Sequence, residues 1–247
     1  MKAFGAHFKT ELKLSIRDMN MIIFAICMPL VVLVILGIIN GGKPAFDGAS
    51  YTFMEQSFGA VSAIAICAAG VMGLPLVVSD YRNKKILKRF RVTPVSPTLI
   101  LAVQVAVYTL YSLVALLLVY ITARLFFGCT FGGSWLVFLG AYLLVMLSMF
   151  SIGMLVGGVS KDVKTANLLC CVLYFPMLIF SGTTLPYEAM PKALQRVADF
   201  MPLTQGIKLL KAASLGLPMD GVLLPIILMA ALAVVCIGVS IRFFRWE

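Results

Sequence analysis

Apolar residues fall along this chain in long uninterrupted runs, not in the short alternations of a water-facing fold. A helix needs about 20 apolar residues to cross a bilayer. Six runs meet that length: 21–39, 57–79, 98–123, 134–159, 165–182 and 221–241. None of them holds an Asp, Glu, Lys, Arg or His. A strand barrel would alternate with period two, whereas stretches such as 113–121 are apolar on every face. The first run begins some 20 residues in and is followed by no small-residue cleavage pattern, so it reads as a span and not as a signal peptide.

The segments between the runs carry their own patterns. Residues 2–19 predict an amphipathic helix. Phe4, Phe8, Leu12, Ile16 and Met19 share one arc, with Lys2, Lys9, Lys13 and Arg17 beside it, the pattern of a helix lying in the headgroup layer. Residues 183–220 are too polar to span and are punctuated by Pro186, Pro191, Pro202 and Pro218. Two short helices fit between the breaks, at about 191–200 and 203–215, with Gly216 as the second C-cap. Leu194 and Val197 share a face on the first, and Ile207, Leu210 and Ser214 on the second. The expected fold is therefore all-α: one polytopic membrane domain over 1–247 with six transmembrane helices, an N-terminal interfacial amphipathic helix and an outer re-entrant helical hairpin.

Composition narrows the class. Of 247 residues, 62% are hydrophobic and 12% charged, about half the usual charged share of a soluble domain. A water-soluble enzyme is excluded, and a nucleic-acid partner does not fit the apolar runs despite the net charge of +10. The charge instead sets orientation. With the N-terminus inside, the inner segments 1–20, 80–97, 160–164 and 242–247 hold 14 of the 20 Lys and Arg and five of the ten acids. The inner side is thus about +9 and the outer about +1, which places both termini in the cytoplasm of a multi-pass protein of the inner (cytoplasmic) membrane.

Catalytic chemistry is sparse. Gly37 to Lys43 matches GxxxxGK, but Pro44 stands where a phosphate loop needs Ser or Thr, and no strand precedes it. No GxSxG or HExxH occurs, the six cysteines form no CxxC or Cys/His cluster, and no metal site is expected. Ion-coupled carriers commonly bury carboxylates or His in their spans, and these spans have none. Their polar groups are mild. Gln104, Tyr108, Tyr111, Tyr174, Phe175 and Pro176 are candidate pathway residues, and Pro176, with Pro29 and Pro75, is expected to kink its helix. Gly153 and Gly157 form a GxxxG that reads as close helix packing. Residues 80–97, DYRNKKILKRFRVTPVSP, crowd six basic residues into ten positions, interrupted by Ile86, Leu87 and Phe90. Two readings stay open for them: headgroup binding with topology, or a short helix docking into a cytoplasmic partner.

The arrangement resembles the membrane subunit of type-2 ABC exporters, the drug, polysaccharide and lipid exporting class. The resemblance covers nearly the whole chain. It rests on the N-terminal helix, the six spans, the segment KRFRVTPVSPTLILAVQV, and the hairpin SGTTLPYEAMPKALQRVADFMPLTQGIKLL with its SG…P…MP…L…PLT order. It implies an ATP-driven exporter permease forming half of the translocation pathway. The implied partners are two copies of an ATP-binding cassette ATPase and a second permease subunit, as homodimer or heterodimer, within membrane lipids. ATP and Mg would be bound by the ATPase, with no cofactor and no catalysis in this chain. The coupling residues implied are Arg82, Lys84, Lys85, Lys88, Arg89, Phe90 and Arg91, with Lys161–Lys164 as a smaller contact. The outer gate would be built on Pro186, Pro191, Pro202 and Leu203. Lack of a large outer domain implies a compact bacterial exporter. The alternatives are an ion-coupled carrier or channel, and a polytopic lipid-modifying enzyme drawing on Asp80, Asp162 and His7.

Overall fold

The computed structural model describes residues 2–17, 22–40, 42–45, 51–86, 97–181, 191–218 and 221–243. Among these residues there are nine helices and no strand. They are α1 Lys2–Arg17, α2 Ile23–Asn40, α3 Phe53–Asn83, α4 Pro97–Phe127, α5 Trp135–Val159, α6 Val163–Phe180, α7 Lys192–Asp199, α8 Pro202–Leu215 and α9 Leu223–Phe243. Six of them, α2 to α6 and α9, are long and apolar enough to cross a membrane. They overlie the six apolar runs.

Two of the helices, α3 and α4, extend beyond their runs at both ends. Thus α3 starts at Phe53 and stops at Asn83, which brings Glu55, Asp80 and Arg82 onto it. Its start is fixed locally: Thr52 Oγ1 accepts from Glu55 N at 3.3 Å and the Glu55 carboxylate accepts from Thr52 N at 2.8 Å, a capping box. At the other end Lys85 takes a left-handed backbone, φ 55°, and breaks the helix. The prolines act through widened turns. A π-helical stretch, Ile23–Cys27, immediately precedes the turn holding Pro29, and a second, Ala68–Gly73, precedes Pro75. The extra residue makes room for a ring that would otherwise clash with the preceding turn. Pro176 sits inside α6 with no such stretch assigned around it.

Helix α3 is the centre of the bundle. It is 83% buried over its most apolar stretch and packs against α2, α4, α5, α6 and α8. The GxxxG of α5 faces it: a Cβ at Gly153 would collide with the Gly70 carbonyl oxygen, and one at Gly157 would lie 3.0 Å from the backbone of Pro75. Close helix packing is therefore what these glycines serve. Across from α3, α5 holds α9 through Ser148 Oγ, which donates to Met229 O at 2.8 Å, and holds α4 through Tyr142 Oη, which donates to Ser112 O at 2.7 Å.

Helix α1 lies against α4. Phe8 and Leu12 pack against the protein core, while Ile16 of the same arc is 53% exposed. The buried face is rotated from the expected arc, because Glu11 also points inward to a polar partner. The two helices of the hairpin occur close to their expected bounds, α8 ending on Gly216 at φ 68°. Leu194 and Val197 of α7 are exposed, while α8 is buried on nearly all sides, including Ile207, Leu210 and Ser214. Pro186 lies outside the described residues.

Candidate functional site

The two ends of the bundle are chemically different. One end gathers α1, the last turn of α3, the first turns of α4, and the short 160–162 link between α5 and α6. Here Lys84, Lys85, Lys161 and Lys164 are exposed. Lys84 Nζ forms an i, i+4 ion pair with Asp80 at 2.7 Å. Asp162 caps α6 by accepting from Thr165 N at 2.7 Å, and this hydrogen bond holds its carboxyl below the usual aspartate pKa. Lys88, Arg89, Phe90 and Arg91 lie outside the described residues.

Arg82 is turned the other way. It is 7% exposed, and one guanidinium nitrogen donates to Gly157 O at 2.9 Å and to Ser160 O at 2.6 Å. These carbonyls close the C-terminal end of α5, where backbone acceptors have no partner within the helix and a cation is favoured. Arg82 thus holds α3 against α5 and is not part of the exposed basic set.

Beside it lies a polar node that the hydrophobic pattern does not reveal. The Glu11 carboxylate accepts from Tyr81 Oη at 2.6 Å and from Gln104 Nε2 at 2.8 Å, and Gln104 also donates to Tyr81 Oη at 3.1 Å. It links α1, α3 and α4. Glu11 is the lone acid within α1, which is the one sequence signal that could have drawn attention to it. Gln104 therefore faces this node.

The other pathway candidates are divided. Tyr108 and Tyr111 are buried on α4, their rings 6.3 Å apart and edge-to-face. Tyr174 is buried and Phe175 is 50% exposed, although their rings touch edge-to-face with centroids 5.6 Å apart. The hydroxyls of Tyr111 and Tyr174, together with those of Ser79, Ser112 and Thr204, are buried and make no hydrogen bond within the described residues. Burying such a group without a partner costs about 1–3 kcal/mol.

At the opposite end, α8 lies directly on backbone. A Cβ at Gly59 would come 2.8 Å from Lys211 N, and one at Gly133 would collide with Ala213 O. Gly133 N also donates to Ser214 O at 3.0 Å. Glu55 reaches across to Thr130, accepting from its backbone N at 3.0 Å and from its hydroxyl. Cys129, in the same loop, has its thiol pushed up to about 11, by burial and then by the charge of Glu55. Phe131 stacks on Trp135 with centroids 4.1 Å apart, and Phe58 and Phe138 complete an aromatic cluster beneath. Leu203 is fully buried, Pro202 opens α8, and Pro191 is exposed at the start of α7.

The chain matches the family model described as "ABC-2 type transporter" over residues 2–215, and it belongs to that family. It is also similar to Nodulation protein J of Rhizobium leguminosarum bv. viciae, 31% identical over 97 residues, which is 39% of this chain and 35% of that protein. Nodulation protein J of Neorhizobium galegae is 28% identical over 98 residues, 40% of this chain and again 35% of the relative. The matched stretch thus spans about a third of the length of these relatives.

Proposed function

We propose, from membership of the ABC-2 type transporter family, that this chain is the permease subunit of an ATP-driven exporter in the cytoplasmic membrane. It forms half of the pathway and does no catalysis itself. A second permease completes the pathway, and two ATPase subunits bind ATP and Mg. The observation that carries this reading is the charged end of the bundle. Lys84, Lys85, Lys161 and Lys164 project from the ends of α3, α5 and α6, next to the segment holding Lys88, Arg89, Phe90 and Arg91. A basic surface on the ends of helices that continue into the bundle is suited to receive an acidic groove on an ATPase and pass its displacement inward.

Arg82 and the Glu11–Tyr81–Gln104 node support the same reading. They tie the end of α3 to α1, α4 and α5, so a push on the 84–96 segment reaches four helices. Alternating access then follows from rearrangement at this end, with Pro191, Pro202 and Leu203 at the far end closing the outer exit. The buried hydroxyls of Tyr111 and Tyr174 supply contacts along the way.

The test is co-purification of the chain with a co-expressed ATP-binding cassette ATPase subunit, followed by charge reversal at Lys85 and Lys88. Loss of charge complementarity at a rim pair weakens a complex by about 1 kcal/mol each, or about fivefold. The double reversal should therefore weaken the complex by more than tenfold and abolish ATP-dependent export. An unchanged complex rejects the docking surface.

A further inference from the structure

We propose that the groove between α7, α8 and α9 is a binding site for one membrane phospholipid with a zwitterionic head group. A cavity of about 430 Å³ lies there, within the range of small-molecule sites. Its polar lining, Asp199, Gln205 and Lys208, comes from α7 and α8, and α9 contributes an apolar wall that includes Leu224, Leu228 and Leu232. The three leucines are spaced by four residues and so form one stripe along the helix, about 12 Å long at 1.5 Å per residue. A straight acyl segment matches that shape. A compact polar ligand would leave it uncovered.

The polar lining specifies the head group. Lys208 Nζ and Asp199 Oδ1 are 2.6 Å apart, and their side chains are 37% and 41% exposed. Both charged groups are therefore within reach of a molecule in the groove. Gln205 is buried and donates to Asp199 O at 2.7 Å, which fixes the end of α7 against α8 and holds the pair in place. A head group with phosphate and ammonium meets Lys208 and Asp199 respectively. An anionic head group without the ammonium meets Lys208 but is repelled by Asp199. Entry is from the hydrocarbon side, since Leu224 and Leu228 are exposed on a helix of membrane-spanning length. The site does not depend on which substrate the protein carries.

Native mass spectrometry on the delipidated full chain, with palmitoyl-oleoyl phosphatidylethanolamine or phosphatidylglycerol added back, tests this directly. The wild type should retain phosphatidylethanolamine about three- to fivefold better, as expected for one half-exposed charge contact. Asp199→Asn should erase that preference, and Leu228→Trp should fill the groove and reduce retention of both lipids. Leu136→Trp, on the exposed face of α5, should change neither. If Leu228→Trp lowers the thermal midpoint, Leu224→Trp blocks the mouth of the same groove and replaces it. Equal retention of the two lipids by the wild type, or retention unaffected by the groove-filling tryptophan, overturns the proposal.

Discussion

The two ends of the bundle hold the central helix α3 by different means. At the hairpin end, α8 lies backbone to backbone on Gly59 and Gly133, and no side chain stands between. At the charged end, α3 is tied to its neighbours by long side chains: Arg82 to α5, and Tyr81 with Gln104 to Glu11 of α1. Backbone contact admits almost no change of position, because even a methyl group does not fit. A guanidinium or a tyrosine can pivot while keeping its hydrogen bond. One end is thus fixed by backbone contact and the other by side chains that can pivot.

The largest expected effect breaks the first half of that contrast. Gly133→Ala pushes a methyl group into the Ala213 carbonyl, and because the clash is with backbone it reaches or exceeds the upper end, about 3 kcal/mol, of ordinary overpacking costs. The thermal midpoint in detergent should fall by several degrees, whichever larger residue is chosen. A midpoint equal to wild type would show that α8 yields easily.

Arg82 tests the other half. Arg82→Ala leaves two helix-terminal carbonyls without their donor, worth about 2–3 kcal/mol for a charge-assisted bond. Arg82→Lys should recover part of the loss, since an ammonium can still bond a carbonyl. Lys84→Ala removes only an exposed pair worth under about 1 kcal/mol and should change the midpoint little. Equal effects at 82 and 84 would mean that the inward clamp does not hold α3 to α5.

The smallest effect sharpens the contrast without breaking the fold. Glu11→Gln keeps an acceptor but loses the charge, about 1 kcal/mol. Amide exchange in α1 should quicken about fivefold while α8 is unaffected. Unaltered exchange in α1 would assign the docking of that helix to Phe8 and Leu12 alone.

Much of the architecture is legible in the sequence. Six apolar runs mark six long helices because hydrocarbon tolerates only hydrogen-bonded backbone and apolar side chains. Prolines and Gly216 mark the hairpin helices because they restrict φ and the donor supply. The site is less legible. Six basic residues in ten positions read as one patch, yet Arg82 turns inward because the last carbonyls of α5, some 75 residues away, need a donor. Glu11, Tyr81 and Gln104 are likewise united only by folding. Tyr174 and Phe175 are alike in the sequence and opposite in surroundings.

What the sequence determined by itself is how many helices are apolar enough to span, roughly where along the chain each lies, and where the charge lies. Only tertiary structure decided which of them is central. Helix α2 is the most apolar of the six, yet 22% of its most apolar stretch is buried against 83% for α3. Hydrophobicity measures escape from water, and lipid and protein interior satisfy it equally. Burial is decided instead by close approach and polar partners: Gly70 and Pro75 against the α5 glycines, Gly59 against α8, and the capped, clamped ends at Glu55 and Arg82.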